Sequence, residues 1–187
     1  MRDDLSMTGT DPARVAQTAP SGSEDGFARR LAHVLNMRPA QLTPSALRWT
    51  ANVLIWAGAL LALDSGIIHV QLWASGGYRG IAVIGPLFLA QGVAGILLAV
   101  ALGVFRRLWL IVAGAGLMAA TAAGLLLSVY VGLFGFQESM AAPYAGMSLV
   151  EEIAGAIVLA AAAVIVLAAG PWRQPRSRSE RVWPPAD

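Results

Sequence analysis

The chain of 187 residues is 57% hydrophobic and only 13% charged, with a formal net charge of +2 and a mean hydropathy of +0.63. A soluble domain carries roughly 25% charged residues, whereas residues 81–105 and 108–136 here contain no Asp, Glu, Lys or Arg. The lack of cysteine excludes disulfide exchange, thiolate-bound zinc and iron–sulfur clusters, and two distant histidines, His33 and His69, are too few for a multi-haem cytochrome.

Residues 1–25 are polar, rich in Gly, Pro, Ser and Thr, and without apolar period; such a segment is expected to be disordered. It does not read as a secretory signal, because no apolar run follows within a few residues. Residues 26–46 hold a basic amphipathic helix and a linker. Phe27, Leu31, Val34 and Leu35 recur at helical spacing, while Arg29, Arg30, His33 and Asn36 take the other face, as in a helix lying on a membrane surface. Thr43 and Pro44 supply a helix start.

About 20 apolar residues span a bilayer as a helix, and four runs qualify: about 47–73, 80–105, 108–136 and 149–169. The predicted fold class is therefore all-α, a polytopic four-transmembrane-helix bundle over 47–170 with the short amphipathic helix before it. Ser148 and Glu151 have the spacing of a capping box at the start of the fourth span. The Arg- and Pro-rich tail, 171–187, is expected to be unstructured.

Arginine sets the expected orientation. Arg29, Arg30, Arg38, Arg48, Arg106, Arg107, Arg173, Arg176, Arg178 and Arg181 all fall on one side of a four-span topology, against Arg79 on the other. By the positive-inside rule both termini are cytoplasmic, in a bacterial plasma membrane. The same asymmetry explains the basic pI without nucleic acid.

Within the spans, Gly116, Ala120, Gly124, Ser128 and Gly132 form a small-residue ladder at every fourth position. Such a ladder lets helices approach closely, against a neighbour in the bundle or a second copy. The polar residues are Asp64 and His69 in the first span, Gln91 in the second, Glu138 after the third, and Glu151 and Glu152 opening the fourth. Together they make a candidate intramembrane site for a proton, solute or metal ion, the metal being unspecified. Each also has a structural reading: a cap for Glu151, the helix N-terminal field for Glu152, a solvated carboxylate for Glu138, an interfacial tip for His69 and interhelical packing for Gln91. Only Asp64 resists one. Asp64 and His69 lie about 140° apart around a helix, so Asp64 needs a partner from another helix, with Arg79 or Gln91 nearest by depth.

The stretches "SGIIHVQLWASGGYRGIAVIGPLFLAQGVAGILLA" and "GLLLSVYVGLFGFQESMAAPYAGMSLVEE" resemble a group of uncharacterised small four-helix integral membrane proteins of bacteria with GC-rich genomes. The resemblance covers about residues 47–170 and implies topology, not activity. No Gly-x-Ser-x-Gly, His-Glu-x-x-His or cysteine pair is present, so no catalytic residue and no cofactor is expected. The leading reading is a non-enzymatic accessory or interaction protein whose partners are the bilayer and a membrane protein or a second copy. The alternative is a small solute, proton or metal-ion binder or transporter; a membrane-embedded enzyme comes last.

Overall fold

The structure, a computed structural model, describes residues 22–42 and 45–170, with side chains from residue 26. The polar ends and the Thr43–Pro44 helix start lie outside these residues. Two units are distinguished, one ending at His33 and one beginning at Val34. The first holds most of helix α1 (Gly22–Leu35), whose Phe27 and Leu31 are exposed one turn apart.

Among its described residues the second unit contains four helices long and apolar enough to cross a membrane: α2 (Ser45–Ser75), α3 (Ile84–Phe105), α4 (Leu108–Tyr130) and α5 (Ala145–Ala168). The molecule is an all-α, multi-pass membrane protein. Leading into α2, the chain tucks Met37, Pro39 and Leu42 into the core, and the Met37 carbonyl accepts a hydrogen bond from the Leu108 N–H at 2.9 Å. That contact caps α4 from across the bundle, since a first-turn N–H has no partner within its own helix.

Helix α2 is the hub. Glycines on both sides of the α2–α3 seam let the backbones meet: a Cβ on Gly66 would lie 2.9 Å from the Gly92 carbonyl, and one on Gly95 2.9 Å from the Ala62 carbonyl. In lipid, where neighbouring tails are as apolar as leucine, this backbone approach supplies the packing that binds helices. Helix α5 packs on α2 and on α4, with Gly58 of α2 receiving Leu159 and Gly155 of α5 receiving Met118. Ile55, Leu102, Leu108, Ile111, Leu159 and Val166 fill the core between them.

The α3–α4 seam behaves differently. The two helices are joined by Arg106 and Arg107, and Gly114 sits beside Leu98 and Leu102. Arg106 turns the chain in the left-handed region (φ 48°), hydrogen-bonds Asn52 Oδ1 at 3.2 Å and lies over the Trp56 ring. Away from that end α3 and α4 scarcely touch, although each is firmly packed on α2 or α5. The bundle is therefore pinned at its arginine end and splayed at the other.

Several expected features take a different form. Most of the small-residue ladder meets no close neighbour among the described residues: a Cβ on Gly116 or Gly124 would meet nothing within 4 Å, Ala120 is exposed, and Gly132 lies beyond the helix at φ 87°, while Ser128 alone is buried. The third span ends at Tyr130 rather than 136, because Gly132, Phe134 and Gly135 take left-handed conformations, two of them at the glycines that favour it, and turn "GLFGF" back on itself, with Leu133 and Phe136 paired by two backbone hydrogen bonds. The second span starts at Ile84 rather than 80, after a one-turn helix at Tyr78–Gly80. The fourth starts at Ala145, so Ser148 and Glu151 lie inside the helix and form no capping box; the Ser148 N–H is satisfied by the Tyr144 carbonyl at 2.8 Å.

Candidate ligand site in the α3–α4 cleft

The splay leaves a cavity of about 440 Å³ between α3 and α4, floored by α2 and α5. Most of its wall is apolar, from Leu87, Phe88, Ala94, Leu117 and Leu125. Leu87, Ala90 and Ala120 on its border are exposed, so the cavity opens sideways onto the surface that faces lipid. A volume of this size falls within the range of roughly 300–1,000 Å³ typical of small-molecule sites.

Polar groups gather on the floor. Glu152, about two turns into α5, is only 1% exposed. Its Oε1 accepts a hydrogen bond from the buried Ser65 hydroxyl at 3.5 Å and faces His69 Nε2 at 3.8 Å. His69 is oriented by its other nitrogen, 2.8 Å from the Ser65 carbonyl one turn back. A carbonyl oxygen can only accept, so Nδ1 carries the proton and Nε2 is presented to the carboxyl. Ser65 thus holds both members of the pair, Glu152 through its hydroxyl and His69 through its carbonyl. Glu152 Oε2 has no partner, and neither have Gln91 Nε2 and Ser128 Oγ, all three on residues that border the cavity. The Thr121 hydroxyl, also on the wall, lies 3.0 Å from the Leu117 and Met118 carbonyls and within reach of the Glu152 carboxyl. Buried polar atoms in folded proteins are nearly always paired, which makes three such atoms around one void notable.

An aromatic cap closes the splayed end. Phe88 lies 5.0 Å from the His69 ring and stacks on Tyr78 at 4.3 Å, and Phe136 meets Tyr78 edge-on at 5.9 Å. The Tyr78 hydroxyl donates to Glu138 Oε2 at 2.5 Å, tying the loop after α2 to the loop after α4. Burial, then the hydrogen bond and charge of Glu138, push the Tyr78 phenol well above its ordinary value near 10, so at neutral pH the donor proton is firmly in place.

The six polar candidates divide into two groups. His69, Gln91, Glu138 and Glu152 share the cavity. Asp64 and Glu151 lie elsewhere: Asp64 is exposed on α2 beside Leu60 and Ile67, and its carboxyl meets that of Glu151 within hydrogen-bonding reach. The partner of Asp64 is therefore neither Arg79, which lies over the Trp73 ring, nor Gln91. Adjacent residues Glu151 and Glu152 point to different sides of α5, as the 100° step of a helix requires. Glu152 is not in the first turn, so the helix N-terminal field does not account for it; Glu138 is half-buried and bonded rather than simply solvated.

Sequence reading set Ser65 on the His69 face of the first span and Tyr78 among the interfacial aromatics without giving either a role in a site, passed over Phe88 and Thr121, and took Ser128 for a packing residue. Only Ser65 left a local trace, one turn before His69 on the same helical face. Among the described residues, no group of three or more His, Cys, Asp or Glu side chains is placed to hold a metal ion. The chain matches no protein-family model, no curated protein and no solved structure.

Proposed function

We propose that this protein is a membrane-embedded binder or carrier of a small lipophilic ligand, which enters from the lipid between α3 and α4 and rests its polar head on Glu152. The observation that carries this reading is the fully buried Glu152 carboxyl with one oxygen unpartnered on a laterally open, largely apolar cavity. An isolated buried charge costs several kcal/mol, and polar or ionisable groups inside a membrane mark substrate sites by default. The arginine asymmetry supports an orientation with both termini in the cytoplasm and, with it, a cavity in the outer half of the bilayer. Gly124→Phe tests the site by filling it, since space is open at that position. Native mass spectrometry of the folded wild type should show a retained small molecule that Gly124→Phe loses. An identical spectrum from both proteins, or a bare wild type, overturns the reading.

A second reading, an accessory protein with a membrane-protein partner, draws on a different observation. Asp64 and Glu151 place two carboxyl groups together beside the exposed Leu60 and Ile67. On a surface that faces lipid, such a pair calls for a hydrogen-bond donor or a cation from outside the chain. The chain has no cysteine, so Leu60→Cys reports cleanly by crosslinking in intact membranes. A specific heterologous adduct, reduced by Asp64→Asn, is expected; exclusive self-adducts or none remove this reading.

A further inference from the structure

The reading of the cleft as a ligand site leaves the chemistry of the ligand open, and the charges around the cavity narrow it. Its border carries two carboxylates, Glu138 and Glu152, and neither arginine nor lysine. Glu138 is engaged by Tyr78. Glu152 is half-engaged: Ser65 donates to Oε1 and His69 Nε2 lies 3.8 Å from it, while Oε2 is buried and unpartnered on a residue of the cavity border. An acceptor oxygen in an apolar, water-poor wall is best met by a charged N–H donor, because charge-assisted hydrogen bonds are about twice as strong as neutral ones and the cation relieves the burial cost of the carboxylate. A carboxylate or phosphate head would face like charge with no arginine or lysine to offset it.

The remaining unpartnered groups fit the same head. Gln91 Nε2 on α3 and Ser128 Oγ on α4 are hydrogen-bond donors on the two walls, so an oxygen next to the amine has somewhere to go. The tail of such a molecule has an exit as well, through the seam where Leu87, Ala90 and Ala120 stand exposed.

From this set of groups we infer that the cleft binds a cationic, amine-bearing amphipath, with its ammonium on Glu152 Oε2 and its apolar chain passing out between α3 and α4 into the bilayer. This rests on the cleft being a ligand site and goes further by assigning the charge of the ligand.

Three probes with one tail and different heads separate the two ideas: dodecylamine, dodecanol and dodecanoic acid, added to the purified full chain near neutral pH and followed by native mass spectrometry and thermal shift. The expected result is saturable one-to-one retention of dodecylamine, at least tenfold weaker retention of dodecanol, and none of dodecanoate. Glu152→Gln keeps an acceptor for Ser65 and should lower dodecylamine retention at least tenfold, removing its preference over dodecanol. Gly124→Phe should abolish both. Equal retention of dodecanol and dodecylamine by the wild type overturns the charge assignment without needing any variant. If that equal retention is still lost in Gly124→Phe, the cleft survives as a neutral-ligand site; if it is not, both ideas fail together. Absence of dodecylamine binding to folded wild type also overturns the assignment.

Discussion

Helix α3 has two seams, and they use small residues in opposite ways. Toward α2, Gly92 and Gly95 bring backbones into contact with Gly66 and Ala62, and the seam is closed. Toward α4, Gly124 and Ala120 stand across from α3 with no backbone to meet, and the seam is a cavity. Small residues in a membrane helix thus mean close packing only where the opposite surface is also small and nothing polar needs room. At the α3–α4 seam, Glu152, His69 and Gln91 occupy the layer where the helices would otherwise meet, roughly 10 Å in from the splayed helix ends at 1.5 Å per residue.

The largest expected effect comes from closing off the tight seam. Gly92→Leu would drive a side chain into the Gly66 carbonyl and the Val70 backbone; overpacking of this kind costs about 3 kcal/mol or more when backbone must move. The measurable outcome is a steep fall in folded yield and thermal stability in detergent. A Gly92→Leu protein as stable as wild type would show that the two seams are not different in kind.

A more modest effect is expected at the cap that separates the cleft from the bundle end. With Tyr130 and Tyr144 replaced by phenylalanine, the tyrosinate absorbance of Tyr78 should rise well above the ordinary midpoint near pH 10. The sign follows from linkage: the folded state favours the neutral phenol, so the Tyr78–Glu138 tie contributes fully below about pH 10 and is lost only as pH climbs through the raised value. Glu138→Gln should lower the midpoint without restoring it, because burial, the larger cause, remains. An unshifted midpoint in the wild-type pair would remove the cap as described.

The smallest effect is expected on the open side. Gly116→Ala meets nothing within 4 Å and should change stability by less than about 1 kcal/mol, in the direction of higher helix propensity. A loss comparable to that of Gly92→Leu would indicate that the α4 ladder is covered by another molecule, as a second copy would do.

Much of the fold is legible in the residues because membrane spanning is a property of single segments. Long apolar runs mark all four helices, α3 and α4 being uncharged throughout, and the start of α4 and the end of α3 follow from Arg106–Arg107. Helix ends without a charge were harder to read. "VGLFGF" is apolar enough to extend α4, and the left-handed conformations of Gly132, Phe134 and Gly135 turn the chain instead. The site was legible as residue types but not as a constellation. His69 and Asp64 sit on one helix yet serve different places; Glu151 and Glu152 are neighbours in sequence yet belong to different surroundings. Helical periodicity separates such pairs, but it does not say which side of each helix meets which neighbour.

By itself, then, the sequence determined that the chain crosses a membrane in four helices, and that His69, Gln91 and the acidic residues, Asp64 among them, are the polar groups held within or at the ends of those spans. Only the tertiary structure decided that α3 closes against α2 and opens against α4, that Glu152 rather than Asp64 is the buried carboxyl, and that Ser65 orients both Glu152 and His69. The division has a physical basis. Insertion depends on the hydrophobicity of each segment summed along its length, whereas the rotation and pairing of helices depend on contacts between residues far apart in the chain, such as Gly66 with Gly92 and Ser65 with Glu152.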